Sequence, residues 1–100
     1  MKLILKDKSE ITINNFSEYS NITKDTNQLE GILMTILNPS DDVTISSLEE
    51  QLTEDNLSAF TVERSDGIKT EINGTQYDLY DIRKVMNEVV YNIEIVLRRR

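Results

Sequence analysis

Two glycine turn signals stand close together in a chain that has only three glycines. Asp66-Gly67 and Asn73-Gly74 enclose the segment Ile68 to Ile72. Asp-Gly and Asn-Gly are the commonest centres of tight hairpin turns, because both central positions take positive φ. The flanking residues alternate. Phe60 and Val62 share one side of AFTVE, Ile68 and Ile72 flank Thr70 in IKTEI, and TQYDLY follows. Two such turns around a short strand predict a β-meander and commit this part of the chain to antiparallel sheet.

The first half shows the same period. Leu3, Ile4 and Leu5 precede a polar break at Asp7-Lys8, and Ile11 and Ile13 then alternate with Glu10, Thr12 and Asn14. That predicts a hairpin with strands near 2–6 and 10–16. Ser17 to Gln28 is polar without clear period and reads as a loop or an irregular edge, part of which continues a strand. Leu29 to Asn38 is an apolar run in which Gly31 weakens a helical reading. It reads as a buried strand ending at Asn38-Pro39, since proline lacks the backbone donor and biases its predecessor to extended geometry.

SSLEEQLTEDNLSAF is the helix candidate. Ser46 with Glu49, and Ser47 with Glu50, both have capping-box spacing. Ile45, Leu48 and Leu52 form one stripe, and Leu57 joins it if the helix runs through TEDN. About two turns of helix are marginal alone, so this one must pack on a sheet. Residues 81–90 allow two readings. Ile82, Val85, Met86, Val89 and Val90 have helical spacing, with Asp81 as a cap. The alternative is a strand to about Met86, a turn at Asn87-Glu88 and a strand to Leu97, which the density of β-branched residues favours. The expected fold is α+β: one domain over 1–100, a small mainly antiparallel sheet (a hairpin plus a C-terminal meander) with one short helix packed on it.

The residue inventory narrows the chemistry. The net charge is −7, against the basic face that phosphate binding requires. The dense basic cluster Arg98-Arg99-Arg100 reads as a solvated tail, with a phosphate or acidic partner as the sharper alternative. The chain has no histidine and no cysteine, which removes Ser-His-Asp and Cys-His catalysis, thiolate metal sites and disulfides. No phosphate-cradling glycine pattern occurs. Acidic pairs such as Asp41/Asp42 and Glu49/Glu50 read as solvated, and an oxygen-ligated cation at Asp41, Asp42 or at Glu54, Asp55 lacks EF-hand spacing. No catalytic, cofactor or metal residue is therefore expected. Tyr77, Tyr80 and Tyr91 read as packing around the last strands or, more sharply, as a tyrosine binding patch. Lys6, Lys8 and Glu10 suit a role as edge gatekeepers. No apolar segment reaches bilayer length and MKLILKDK is too short for a signal peptide, so a cytoplasmic location is expected.

MKLILKDKSEITI resembles the opening of small phage and prophage proteins of low-GC Gram-positive bacteria. SLEEQLTEDNLSAFTV resembles their short helix followed by a strand, and DGIKTEINGTQYDLYDI with VYNIEIVLRR resembles their C-terminal meander. The Asn-, Ile-, Lys- and Asp-rich composition agrees with such a source. Lys84 to Val90 departs from the pattern through its helical spacing. The resemblance implies a non-enzymatic protein, of a group generally without assigned function and often encoded near virion structural genes. Two expectations follow. One is a structural or accessory component of the tail or baseplate, working through strand pairing and apolar patches, with Tyr77 and Tyr80 as contact residues. The other is a small acidic inhibitor of a host defence system, such as an anti-CRISPR protein. In that reading Glu49, Glu50, Glu54 and Asp55 imitate phosphates in the channel of a nuclease. Either way the partner is a protein, of the virion or of the host. Nucleic acid and membrane are not expected as direct partners, and a homo-oligomer is compatible with both readings.

Overall fold

The computed structural model describes residues 1–22 and 28–100. Its elements are β1 (Lys2–Ile4), β2 (Glu10–Thr12), β3 (Asn15–Ile22), β4 (Gln28–Leu37), α1 (Ile45–Gln51), α2 (Glu54–Leu57), β5 (Ala59–Glu63), β6 (Lys69–Asn73), a 3-10 turn (Gly74–Gln76), β7 (Tyr77–Asn87) and β8 (Val90–Arg99). The strands form two four-stranded antiparallel sheets, ordered β2-β1-β5-β6 and β3-β4-β8-β7. The fold is thus the expected small α+β domain, mostly antiparallel, with short helical segments packed on it. No helix among the described residues is long and apolar enough to cross a membrane.

Each sheet joins two local hairpins through their inner strands, β1 with β5 and β4 with β8. One core fills the space between the sheets. Leu3 and Phe60 enter it from the first sheet, Ile13 from the crossing between β2 and β3, and Ile32, Met34 and Ile95 from the second sheet, all at most 3% exposed. The helical segment adds Leu48, Leu52 and Leu57. Burying one such side chain stabilises by about 1.5–3 kcal/mol.

Several local readings change. The predicted second strand, 10–16, is two strands in different sheets, and β3 runs on through Ile22, so the first part of 17–28 continues a strand as one of its readings expects. Helix α1 starts two residues earlier than the nearer predicted box, the one capped by Ser46. Thr44 is its N-cap: the Ser47 N–H donates to Thr44 Oγ1 and the Thr44 N–H donates to Ser47 Oγ, both at 3.0 Å. Ser47 thus takes the place of the Glu or Gln usual at that position. The helix stops at Leu52 and restarts at Thr53, whose hydroxyl caps α2. Residues 82–87 form strand, as the favoured alternative expects, but the turn falls at Glu88-Val89 rather than Asn87-Glu88.

The meander is the main correction. β5 and β6 form a hairpin, but β6 does not pair with β7, which lies in the other sheet. The two glycines do different work. At Gly67 the backbone is left-handed, with φ +86°. The Gly67 N–H donates to Arg64 O at 2.9 Å and the Arg64 N–H donates to Ile68 O at 2.8 Å. This is a three-residue hairpin loop with one left-handed position rather than a two-residue turn with two. Gly74 has no positive φ. A Cβ there would overlap the carbonyl oxygen of Leu57, so its role is close backbone approach.

The β1–β2 loop repeats the Gly67 geometry without a glycine. The Lys8 N–H donates to Leu5 O, and the Leu5 N–H to Ser9 O, both at 2.9 Å. Asp7 Oδ1 accepts the Ser9 N–H at 2.9 Å, as Asp66 Oδ1 accepts that of Ile68 at 3.1 Å. Lys8 fills the left-handed place, at φ +75°. Replacing Lys8 by glycine should therefore stabilise the protein by about 0.5–1 kcal/mol. Gly67→Ala should destabilise it by about 1 kcal/mol, and Gly74→Ala by about 2–3 kcal/mol. Urea unfolding midpoints measure all three; equal losses at Gly67 and Gly74 would mean that the Leu57 contact is not structural.

The same loop carries an acid sensitivity. The Asp7 carboxyl is held below its ordinary value by the Ser9 hydroxyl, then by the Ser9 N–H and the Asn56 amide. A carboxylate depressed in the folded state stabilises fully above its unfolded pKa and loses that contribution as pH falls through the folded one. Asp7→Asn should be less stable than the parent at neutral pH, and the difference should shrink as pH drops below about 4. A pH-independent difference in urea midpoint would remove the linkage.

Candidate functional site

The acidic residues of the helical segment do not form one uncompensated patch. Glu49 and Glu50 are exposed on α1. Glu54 and Asp55 occupy the first turn of α2, where the free N–H groups favour negative charge. Asp55 pairs with Lys6 at 3.3 Å, and Glu54 with Arg100 at 3.1 Å. Arg100 also holds Asp78 at 2.7 Å, and the Asp78 and Glu54 bonds raise its pKa further above the usual arginine value. Glu54, Tyr77, Asp78 and Arg100 thereby line one cleft of about 420 Å³ with Leu57 and Leu79.

The arginines are not a loose tail. Arg98 and Arg99 lie in β8, and Arg99 pairs with Glu30 at 3.0 Å. The Arg98 guanidinium lies 5.3 Å from the centre of the Tyr80 ring. Such exposed pairs contribute little to stability, but they occupy the donors that a phosphate would use.

The tyrosines separate. Tyr77 is half-buried against the core. Tyr80 is 61% exposed and sits where the β7–β8 register shifts between Leu79 and Asp81. That bulge adds a residue and changes which parity faces inward. Leu79 lies opposite the buried Leu97 before it, and Ile82 opposite the buried Ile95 after it. Tyr80 and Arg98 lie on the outer face of the second sheet. Tyr91 belongs to the inner face near the opposite end, where the Lys84 ammonium sits 4.5 Å from its ring centre.

Sequence reasoning missed a more exposed feature. β4 ends at Leu37, opposite Asn92, which in turn faces Val85. Beyond that row β7 and β8 continue as a two-stranded arm. Met86 is 70% exposed and Val89 95%, with Val85 and Val90 also exposed. Leu37 extends the patch on the outer face at 52% exposure. The turn places Glu88 at φ +56°, where Asn or Gly is usual. The apparent helical spacing of 82–90 arises because apolar residues on this arm face both ways and the bulge breaks the strand period. The detectable signal was VMNEVVY: valines crowd the tip of a hairpin and stay exposed.

No protein-family model, curated protein or solved structure matches the chain. The arm can present apolar surface and ribbon backbone to another protein. Because Met86 and Val89 are so exposed, Met86→Ser and Val89→Ser should each change the unfolding free energy by no more than about 0.5 kcal/mol. A loss above about 2 kcal/mol in urea unfolding would show that the tip is buried in the folded protein.

Proposed function

We propose that this chain is a phage-encoded, non-enzymatic protein that acts by binding other proteins, as a structural or accessory component of the tail or baseplate. It is made in the cytoplasm of a bacterial host and carried into the particle. The observation that supports this reading best is the arm, with Met86 and Val89 exposed at its end. Contiguous apolar surface of this kind is retained where a partner covers it. A ribbon that projects beyond its sheet suits insertion between neighbouring subunits of a symmetric assembly. The outer-face pair Tyr80 and Arg98 lies on the same sheet and extends the surface with residue types enriched at interfaces.

Mass spectrometry of purified particles tests the proposal. The protein should be present in a fixed ratio to known tail proteins, and Val89→Lys should reduce its incorporation at least tenfold. Its absence from particles would overturn the reading. One observation favours the defence-inhibitor reading instead: Glu49 and Glu50 are exposed, and no described cation pairs with either. Protection of a plasmid from interference by the host nuclease, lost on Glu49→Lys/Glu50→Lys, would select it over the particle component.

A further inference from the structure

The four sheet edges are unequally defended. β2 is only three residues long. β7 is interrupted by its bulge and carries Arg83 and Lys84. Short edges, bulges and lysines all discourage pairing with another chain. β3 runs into the segment that is not described. β6 is longer than β2 at five residues, Lys69–Asn73, its register with β5 has no shift, and its one lysine, Lys69, is matched by Glu71 two residues on along the same face. Its one hydrogen-bonded neighbour among the described strands is β5.

The backbone of β6 is oriented for a further strand. The Arg64 N–H bonds Ile68 O, and the register pairs Val62 with Thr70 and Phe60 with Ile72. In an antiparallel ladder the hydrogen-bonded pairs alternate, so those pairs exchange the bonds. The N–H and C=O groups of Lys69 and Glu71 then point away from β5.

The side chains specify what that strand should be. On the outer face one row crosses the sheet from Lys2 to Glu63 to Lys69, alternating in charge and ending on a lysine at the edge. Lys69 pairs with Glu63 at 3.7 Å. The next strand in the row should therefore offer a carboxylate. On the inner face the row from buried Phe60 to half-buried Ile72 ends where an apolar residue would continue it. Ile68, 54% exposed, lies on that same face.

We infer that β6 pairs antiparallel with β6 of a second copy of this chain, about a two-fold axis at Thr70. In that register each Lys69 faces Glu71 of the other copy, and each Ile68 faces the other Ile72. The outward backbone groups of 69 and 71 form the hydrogen-bonded pairs, as the ladder requires. One isologous contact satisfies charge, apolar surface and backbone together, and joins two four-stranded sheets into one of eight strands. The short contact makes a weak dimer. The inference deepens the protein-binding reading by naming one partner. It is tested on purified protein, so it and the particle proposal can fail separately.

Sedimentation velocity over a range of concentrations tests it. The parent mass should rise from 11.6 kDa toward twice that value. Glu71→Lys and Lys69→Glu each place like charges opposite one another twice, and each variant should remain monomeric with a circular dichroism spectrum like the parent's. Mixed, the two variants restore both opposite-charge pairs and should form a one-to-one heterodimer. A parent that stays monomeric throughout, a dimer that survives Glu71→Lys, or two folded monomeric variants that fail to associate would each overturn the inference. Lys69→Glu also faces Glu63 within the chain; if it fails to fold, Glu71→Lys alone decides, by loss or persistence of the dimer.

Discussion

The approach of Gly74 to the carbonyl of Leu57 sets how the two sheets meet. The sheets share no strand, so the chain must pass between them at β2–β3, through the helical segment, and at β6–β7. Each passage removes backbone from one ladder and must satisfy it in another. At the first, the Ile13 N–H donates to Met1 O in one sheet and the Asn14 N–H to Thr35 O in the other. The Asn14 side chain then accepts the Leu37 N–H. At the last, Asn73 caps the 3-10 turn through Thr75, and only a residue without Cβ lets this corner lie against the end of α2. Leu57 and Phe60 on either side of that contact belong to the core. A corner held further out would open the space that Leu48, Leu52 and Leu57 fill.

The bulge at Tyr80 is a second consequence of joining a short corner to a long strand. Before it, Tyr77 and Leu79 turn toward the core; after it, Ile82 does so. β7 can therefore bury apolar residues along its length only by changing phase once. The change also leaves Tyr80 on the outer face and spoils the β7 edge as a pairing template. β6 meets the same corner from the other side without a bulge, and its edge stays regular. One geometric demand thus yields a bulged edge on one sheet and a regular one on the other.

Signals confined to one element were legible in the sequence. The alternation of 91–97 identified β8, the apolar run from Leu29 marked β4, and Asp66-Gly67 marked a real hairpin. What failed depended on residues distant in sequence or on one residue doing another's usual work. Leu3 pairs with Val62 and Leu33 with Val96, and no local pattern says which hairpins join. Asn73-Gly74 has the composition of a turn, yet its glycine is required by a carbonyl on α2. Lys8 occupies a glycine's place, so the first loop carried no glycine signal. Of the candidate site residues, Glu54 and Tyr77 share a cleft, whereas Glu49, Glu50, Asp55 and Tyr80 were proposed from composition, which carries no information on pairing. The arm escaped notice because hydrophobic residues are read as buried by default, and burial is a tertiary property.

Charge bears on how two copies of the chain can meet. Every described lysine and arginine other than Lys8 has an acidic or aromatic partner within the chain. The unpaired charges are therefore almost all negative, in keeping with a net charge of −7. Arg99 and Arg100 are held by Glu30, Glu54 and Asp78. Two copies of the chain repel one another by a long-range term that salt screens over about 10 Å. Association between like-charged copies must then rest on short-range terms: backbone hydrogen bonds, apolar burial and local opposite charges at the contact itself. Of the described edges, β6 supplies all three in one register, whereas the arm supplies the apolar term with only Glu88 at its tip. The two surfaces accordingly suit different partners, β6 a strand of complementary charge and the arm an apolar pocket.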